Sequence, residues 1–298
     1  MVLDYGPRRF VAGFDEALKP YVADENGRRR ANLPKPGARD DAALAPAAHQ
    51  RFAELKKDVR EIAGIQLQRL ELAMTTGRRW DMAEFREFLV GHPLVWHIVR
   101  RLVWIAEHDG GVATAFRLAE DRTFADVGDD TVTPPDDATV RIAHPLCLGD
   151  TRERWSQVFA DYEILQPFPQ LDRVVHTLSE DEKAATRLTR FEGVTVPFGN
   201  VLRLERRGWH RGPTDSDGGI SCFVRTVRSG CHVVVTLKTG LFIGNVSVSE
   251  DQTLEAVWIG ADPAPHWHSH EVALRYRFAE LDPVTASEVL TDLDSVIT

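Results

Sequence analysis

RRWDMAEFREFLVGHPLVWHIVRRLVW, residues 78–104, is apolar enough to build a core, yet it carries two arginine pairs and the histidines His92 and His97. Asp81 opens a short helix, DMAEFREFLV, with Phe85, Phe88 and Leu89 on its apolar face. Gly91-His92-Pro93 makes a corner, and Pro93 suits a first helical position. LVWHIVRRLVWIAE then reads as a further helix. Leu94, Val95, Ile98, Val99, Leu102 and Ile105 cover most of its circumference, and His97, Arg100, Arg101 and Trp104 share the rest at spacings of three and four. Arginines on such a helix need a carboxylate or several carbonyls, because an unpaired buried charge costs several kcal/mol, roughly. Candidate acids are Glu120 and Asp121 in FRLAEDRTF, read as a strand returning after a Gly110-Gly111 turn. A structural arginine–carboxylate clamp is one reading; an anion-binding or catalytic arginine pair is the other.

Upstream, residues 42–76 read as a long helix capped by Asp40 or Asp41 and ended by Gly77, which tolerates a left-handed C-cap. Its stripe Ala48, Phe52, Leu55, Val59, Ile62 gives way to Ala63, Leu67, Leu70, Met74, so the helix changes packing partner near Ile65 and leaves Gln66 and Arg69 at a boundary. Before it, RRFVAGF and KPYVA read as a hairpin, with a tight turn at Asn26-Gly27 and RRRANL pairing back.

Downstream, TVRIAHPLCL alternates as a strand. Asp150 can cap the helix TRERWSQVFADYE, which Pro167 and Pro169 stop from continuing. Ser179 and Glu182 form a capping box for a helix running to about Phe191. ISCFVRTVR and CHVVVTL form a hairpin in which Cys222 falls opposite Leu237. GLFIGNVSVS, LEAVWIG and ALRYRF add strands, and Asp282-Pro283 opens a terminal helix. The expected fold is α+β, a helical N-terminal half packed against a mainly antiparallel C-terminal β-sheet. Its domains would be 1–178 and 179–298, with a boundary near 176–192, or one continuous domain.

A formal net charge of −9 disfavours unspecific binding to nucleic acid or an anionic membrane, both polyanions. No apolar run reaches the roughly 20 residues that span a bilayer. Three cysteines, Cys147, Cys222 and Cys231, give no disulfide framework and no CxxC pair. With no signal-peptide pattern, the chain reads as cytoplasmic. No GxSxG, phosphate loop or HExxH is present, and no motif names a cofactor. His266, His268 and His270 in HWHSH would share one side of an extended segment and could hold zinc, but no carboxylate beyond Glu271 supports them. Asp161 and Glu163 lie between large apolar residues, yet two apart they share no helix face. His144 precedes Cys147 by three residues with no orienting third group.

Taken together, LPKPGARDD, LKKDVREIAGIQLQRLELAM, the opening stretch, FRLAEDRTF and WSQVFADYEILQPFPQL resemble the MolR-like bacterial proteins, whose shared segment is the domain of unknown function 4132. The resemblance is closest over residues 30–175. It implies either a short member of the family or the C-terminal portion of a longer protein, and no catalytic residues. The expected function is a cytosolic interaction or regulatory module, partnered by another protein or by upstream domains. The alternative is an enzyme whose Arg100 and Arg101 hold an anionic substrate while Glu120, Asp121, His144, Asp161, Glu163 or His92 moves a proton. A third reading, a nucleic-acid accessory domain, needs a contiguous basic face.

Overall fold

The computed structural model describes residues 1–15, 18–108, 111–214, 218–228, 230–242, 250–262 and 275–297, with only the backbone described for Val112 and Arg228. The fold is α+β, and every strand pairing in it is antiparallel. The chain divides into two compact units, residues 1–143 with 148–171, and residues 144–147 with 172–298.

The first unit opens with β1 (Val2–Asp4), β2 (Arg9–Phe14), β3 (Pro20–Ala23) and β4 (Arg29–Arg30), paired in that order. The turn expected at Asn26-Gly27 is present, with Gly27 at a φ of 77°. Asp24 stiffens it by accepting from the Asn26 and Arg28 amides. α1 (Leu44–Thr75) follows, and the Asp41 carboxylate accepts the amides of Ala43 and Leu44 at its start. Ala45, Ala48 and Phe52 pack with Leu3, Tyr5, Phe10 and Val22 of the small sheet. Val59, Leu70, Ala73 and Met74 join a different core, and Leu55 touches both. The helix therefore does change partner along its length, while Gln66 is half-buried and Arg69 exposed. Gly77 ends α1 at a φ of 64°, with the Gly77 amide on Met74 and the Arg78 amide on Ala73.

β5 (Trp80–Asp81) and α2 (Met82–Glu84) come next, and α2 runs into a π-helical turn, Phe85–Val90. Gly91 closes that turn by donating to the Arg86 carbonyl. A Cβ there would lie 2.9 Å from the Glu87 carbonyl oxygen, so only glycine fits. The expected third helix is corrected. α3 spans only Trp96–Val99, and Trp104–His108 is β6, an interior strand of a six-stranded sheet. A run apolar on all sides serves a buried strand as well as a buried helix, and periodicity cannot separate the two. The rest of the sheet is β7 (Val112–Leu118), β8 (Phe124–Ala125), β9 (Thr131–Val132) and β10 (Thr139–Ile142), in the order β5-β10-β6-β7-β8-β9. Phe85 packs edge-on against Trp104 at 4.8 Å and Phe116 at 5.9 Å, which locks the π turn over the sheet.

The elbow between α3 and β6 is held by one side chain. Gln170 is fully buried. Its Oε1 accepts from the Val103 amide at 2.9 Å, and its Nε2 donates to the Val103 and Ala143 carbonyls at 2.8 Å each. Gln166 donates to Gln170 in turn and accepts the Leu171 amide. α4 (Pro145–Leu148) and α5 (Arg152–Asp161) lie between β10 and this segment. Asp150 makes no cap; Gly149–Thr151 is a 3-10 turn.

The second unit comprises α6 (Glu180–Ala184), β11 (Thr195–Val196), α7 (Phe198–Leu202), β12 (His210–Arg211), β13 (Gly219–Arg228), β14 (Cys231–Phe242), β15 (Gln252–Gly260) and α8 (Pro283–Ile297). Its sheet order is β11-β15-β14-β13-β12. Val289, Leu290, Leu293 and Val296 of α8 share a core with Phe223, Val233, Val235 and Val257. The Ser179–Glu182 capping box is present, but α6 stops at Ala184 and Phe191 sits in a separate 3-10 turn. Arg228 pairs with Cys231 as expected, yet a bulge between Thr226 and Arg228 shifts the ladder, so Cys222 faces Thr236, not Leu237. All three cysteines are free. Residues 243–249 of the expected strand GLFIGNVSVS lie outside the described residues, as do Gly110 and the start of ALRYRF, whose residues 275–277 have no regular structure.

Gln170→Leu strands the Val103 amide and the Ala143 carbonyl in a dry core, and each orphaned group costs about 1–3 kcal/mol. Denaturant unfolding of this variant is expected to show a loss of roughly 3 kcal/mol, against under about 1 kcal/mol for Gln166→Ala. Equal stabilities for Gln170→Leu and the parent chain would contradict the clamp.

Candidate functional site

Because α3 gives way to a strand, Arg100 and Arg101 sit at an elbow rather than along a helix flank, and both are half-buried. Arg101 is satisfied largely by carbonyls, Nε donating to His97 at 2.8 Å and Nη1 to Leu165 at 3.1 Å. Arg100 Nη1 lies 3.9 Å from Glu120, whose side chain is 89% exposed, so this ion pair contributes little. Carbonyls thus take a share of the role expected of carboxylates. Asp121 takes no part, since it accepts the amide and hydroxyl of Thr123 inside its own turn. Those bonds hold its carboxyl below the usual range.

The elbow forms one wall of a cavity of about 420 Å³. A second wall runs from Arg117 on β7 to Glu120, and a third is Tyr162–Ile164, at the end of α5. Alternation along β7 puts Arg117 on the opposite side of the strand from the core residues Phe116 and Leu118. It is nonetheless buried, at 7% exposure. Tyr162 covers it, with the guanidinium carbon 4.5 Å from the ring centroid. Asp129 holds both: one oxygen accepts from Arg117 Nη2 and the other from the Tyr162 hydroxyl at 2.6 Å. The Tyr162 bond, then Arg117, keeps the Asp129 carboxyl below its ordinary value, and Asp129 raises the Tyr162 phenol. Arg117 Nε, also buried, has no hydrogen-bond partner among the described residues.

Backbone strain gathers around this cavity. Among the described residues, four other than glycine have positive φ: Leu18, Arg122, Asp129 and Glu163. Arg122 lies in the turn that carries Glu120, Asp129 holds Arg117, and Glu163 lines the cavity. Non-glycine residues in this region persist where the surroundings enforce them, and they cluster at functional sites. Glu163 is the clearest of them. Its amide donates to Ala160 and that of Ile164 to Phe159, the same helix ending that Gly77 gives α1. At a position that favours glycine this chain keeps a glutamate, at a φ of 53°.

Arg100, Arg101, Glu120 and Glu163 line one cavity, and the other candidates lie elsewhere. His92 is an exposed cap whose Nδ1 accepts the Leu94 and Val95 amides. Asp161 is exposed and pairs with Gln157. His266, His268 and His270 lie outside the described residues. Among the described residues no group of three or more His, Cys, Asp or Glu is placed to hold a metal ion, and no helix is long and apolar enough to cross a membrane. Arg117, Tyr162 and Asp129 escaped sequence reasoning. The one signal for Arg117 was a charge inside the apolar strand AFRL.

His144 belongs to the second unit, buried against Glu288 of α8. Its Nδ1 accepts the Leu146 amide, so Nε2 carries the proton it donates to Glu288 at 3.1 Å. Arg173 adds a two-pronged grip, 2.7 Å to each Glu288 oxygen. One turn later Asp292 is buried with Arg225, Arg207 and the Trp209 indole. Burial alone pushes the Glu288 carboxyl up, but the bonds from His144 and Arg173 outweigh it and hold the group at about 2. Burial keeps the Asp292 carboxyl above its ordinary value, against the pull of Arg225. Closed, mutually satisfied pairs of this kind position α8 on its sheet. The same unit has a cavity of about 330 Å³, mainly apolar, and the two basic groups beside it already face Glu180 and Asp294.

Two outcomes follow. A left-handed side-chain-bearing residue costs roughly 1 kcal/mol that glycine avoids, partly offset by glycine's freer unfolded chain. Glu163→Gly is thus expected to leave thermal stability unchanged or raise it by up to about 1 kcal/mol, and a clear loss in calorimetry would contradict this. A depressed carboxylate stabilises the fold above its unfolded pKa. For Glu288 that contribution is full above about 4.5 and disappears as the pH falls toward about 2. An acid titration of unit stability should show this decline, and Glu288→Gln should flatten it while destabilising the chain at neutral pH; an unchanged acid profile in the variant would refute the assignment.

The chain is 38% identical over 217 residues to the uncharacterized protein YehI of Escherichia coli (strain K12), covering 72% of this chain and 18% of that protein. The chain thus spans under a fifth of the length of the curated relative it matches. No solved structure matches it. The family model described as Domain of unknown function (DUF4132) matches residues 27–209, more than half the chain and all three walls of the arginine cavity, so the chain belongs to the DUF4132 family.

Proposed function

We propose that the first unit is a ligand-binding module that takes an anionic group into the Arg100–Arg101–Arg117 cavity, and that it serves as a regulatory or interaction part of a longer cytoplasmic protein. Arg117 carries this reading. A buried guanidinium normally uses all its donors, since a buried unsatisfied donor is costly. Its Nε–H is buried and has no acceptor among the described residues, on a residue that lines the cavity. A carboxylate or phosphate oxygen supplies what is missing, and guanidinium geometry suits either. The three free cysteines accord with a reducing compartment. The MolR-like affiliation belongs to this proposal too and rests on the stretches quoted above.

An enzyme acting on an anionic substrate is the second reading, and the Glu163 carboxylate is the observation that favours it, as a group able to move a proton. The Tyr162 hydroxyl weighs the other way. It is committed to Asp129, which keeps it protonated.

The test follows the Arg117 Nε–H signal by nuclear magnetic resonance in the full chain, assigned by its disappearance in Arg117→Lys. Butyrate or inorganic phosphate is expected to shift it saturably, and Arg117→Lys is expected to weaken binding roughly tenfold. A signal unmoved by both probes, or a lysine variant that binds equally well, would overturn the proposal.

A further inference from the structure

We propose that the ligand of this cavity is a zwitterion, a small molecule bearing an ammonium or similar cation as well as its anionic group. The inference rests on the anion-binding reading and adds a second determinant, the Glu163 carboxylate. Two groups without a side-chain partner among the described residues belong to residues that line the same cavity. One is the buried donor, Arg117 Nε. The other is an acceptor: among the described residues no side chain forms an ion pair or hydrogen bond with the Glu163 carboxylate, although three arginines line the cavity with it. Were Glu163 present to neutralise an arginine, it would be paired with one. Were it a mere helix ending, glycine would serve better at that φ. An exposed carboxylate in a glycine conformation, on a residue that lines the cavity and with no side-chain partner among the described residues, fits a cation delivered by the ligand.

The charge balance agrees. Arg117 is already matched by Asp129, and Arg100 stands near Glu120. The lining that remains carries little excess positive charge, which suits one anionic group and not a polyphosphate. The cavity, about 420 Å³, lies within the range of small-molecule sites and leaves room for a short chain between the two charges.

The probe is a series of ω-amino carboxylates from glycine to 6-aminohexanoate, titrated calorimetrically into the full chain. Each is compared with the carboxylate of the same chain length lacking the ammonium, and with the matching alkylammonium. At one chain length the amino carboxylate is expected to bind roughly tenfold tighter than the plain carboxylate. Glu163→Gln should abolish that advantage while plain carboxylate binding persists, and Glu163→Gly, which keeps the backbone relaxed, should do the same. Equal binding of amino and plain carboxylates in the parent chain overturns the zwitterion and leaves the anion site standing. So does an advantage that survives both Glu163 variants. Binding of the alkylammonium as tight as that of the amino carboxylate overturns it as well, and the absence of binding by every carboxylate removes both readings.

Discussion

The buried amide of Gln170 is the constraint on which the site depends. It fastens the Val103 backbone, just after Arg100 and Arg101, to the chain that follows Tyr162 and Glu163. Two walls of the cavity thereby share one anchor, and the anchor also reaches Ala143 at the end of β10. A glutamine can do this because one planar group offers both a donor pair and an acceptor, and here every bond is made in a dry interior where each counts for more. The elbow it fixes turns an apolar run from helix into strand and points two guanidiniums to one side.

On that frame the cavity combines features that stability alone does not require. Arg117 is buried on the outer side of a strand, sandwiched by Tyr162 and anchored by Asp129. Three turns around it carry residues in the left-handed region. The second unit shows what purely structural charge burial looks like. Glu288 and Asp292 are each surrounded by donors, Glu288 through a bidentate grip from Arg173 and Asp292 through the Trp209 indole and two arginines. Buried ions closed upon one another position α8; Arg117 is paired with Asp129, yet its Nε has no partner among the described residues.

Much of the fold could be read from residue patterns. The stripe of α1, its change of core, the Gly77 ending, the Asn26-Gly27 turn and the Ser179 capping box each follow from local chemistry, and each occurs where expected. The failures share one cause. Residues 102–106 are a continuous apolar run, so their state is decided by pairing with β7 and β10, partners distant in sequence. The bulge at Thr226 is likewise invisible until the hairpin closes. Four of the eight catalytic candidates, Arg100, Arg101, Glu120 and Glu163, line one cavity, each a charge set within or beside apolar sequence. Tyr162 and Asp129 gave none, since their role exists only through space. Glu163 was noticed for its charge, while its backbone conformation, the more telling feature, required coordinates.

Arg117 and Glu163 are proposed to bind opposite ends of one ligand in the cavity. A crystal structure of the full chain soaked with the best-binding amino carboxylate addresses it most directly. The account predicts electron density in the cavity with a carboxylate oxygen on Arg117 Nε and the ammonium on Glu163. Density with the charges reversed, or an occupied site elsewhere and an empty cavity here, would contradict it.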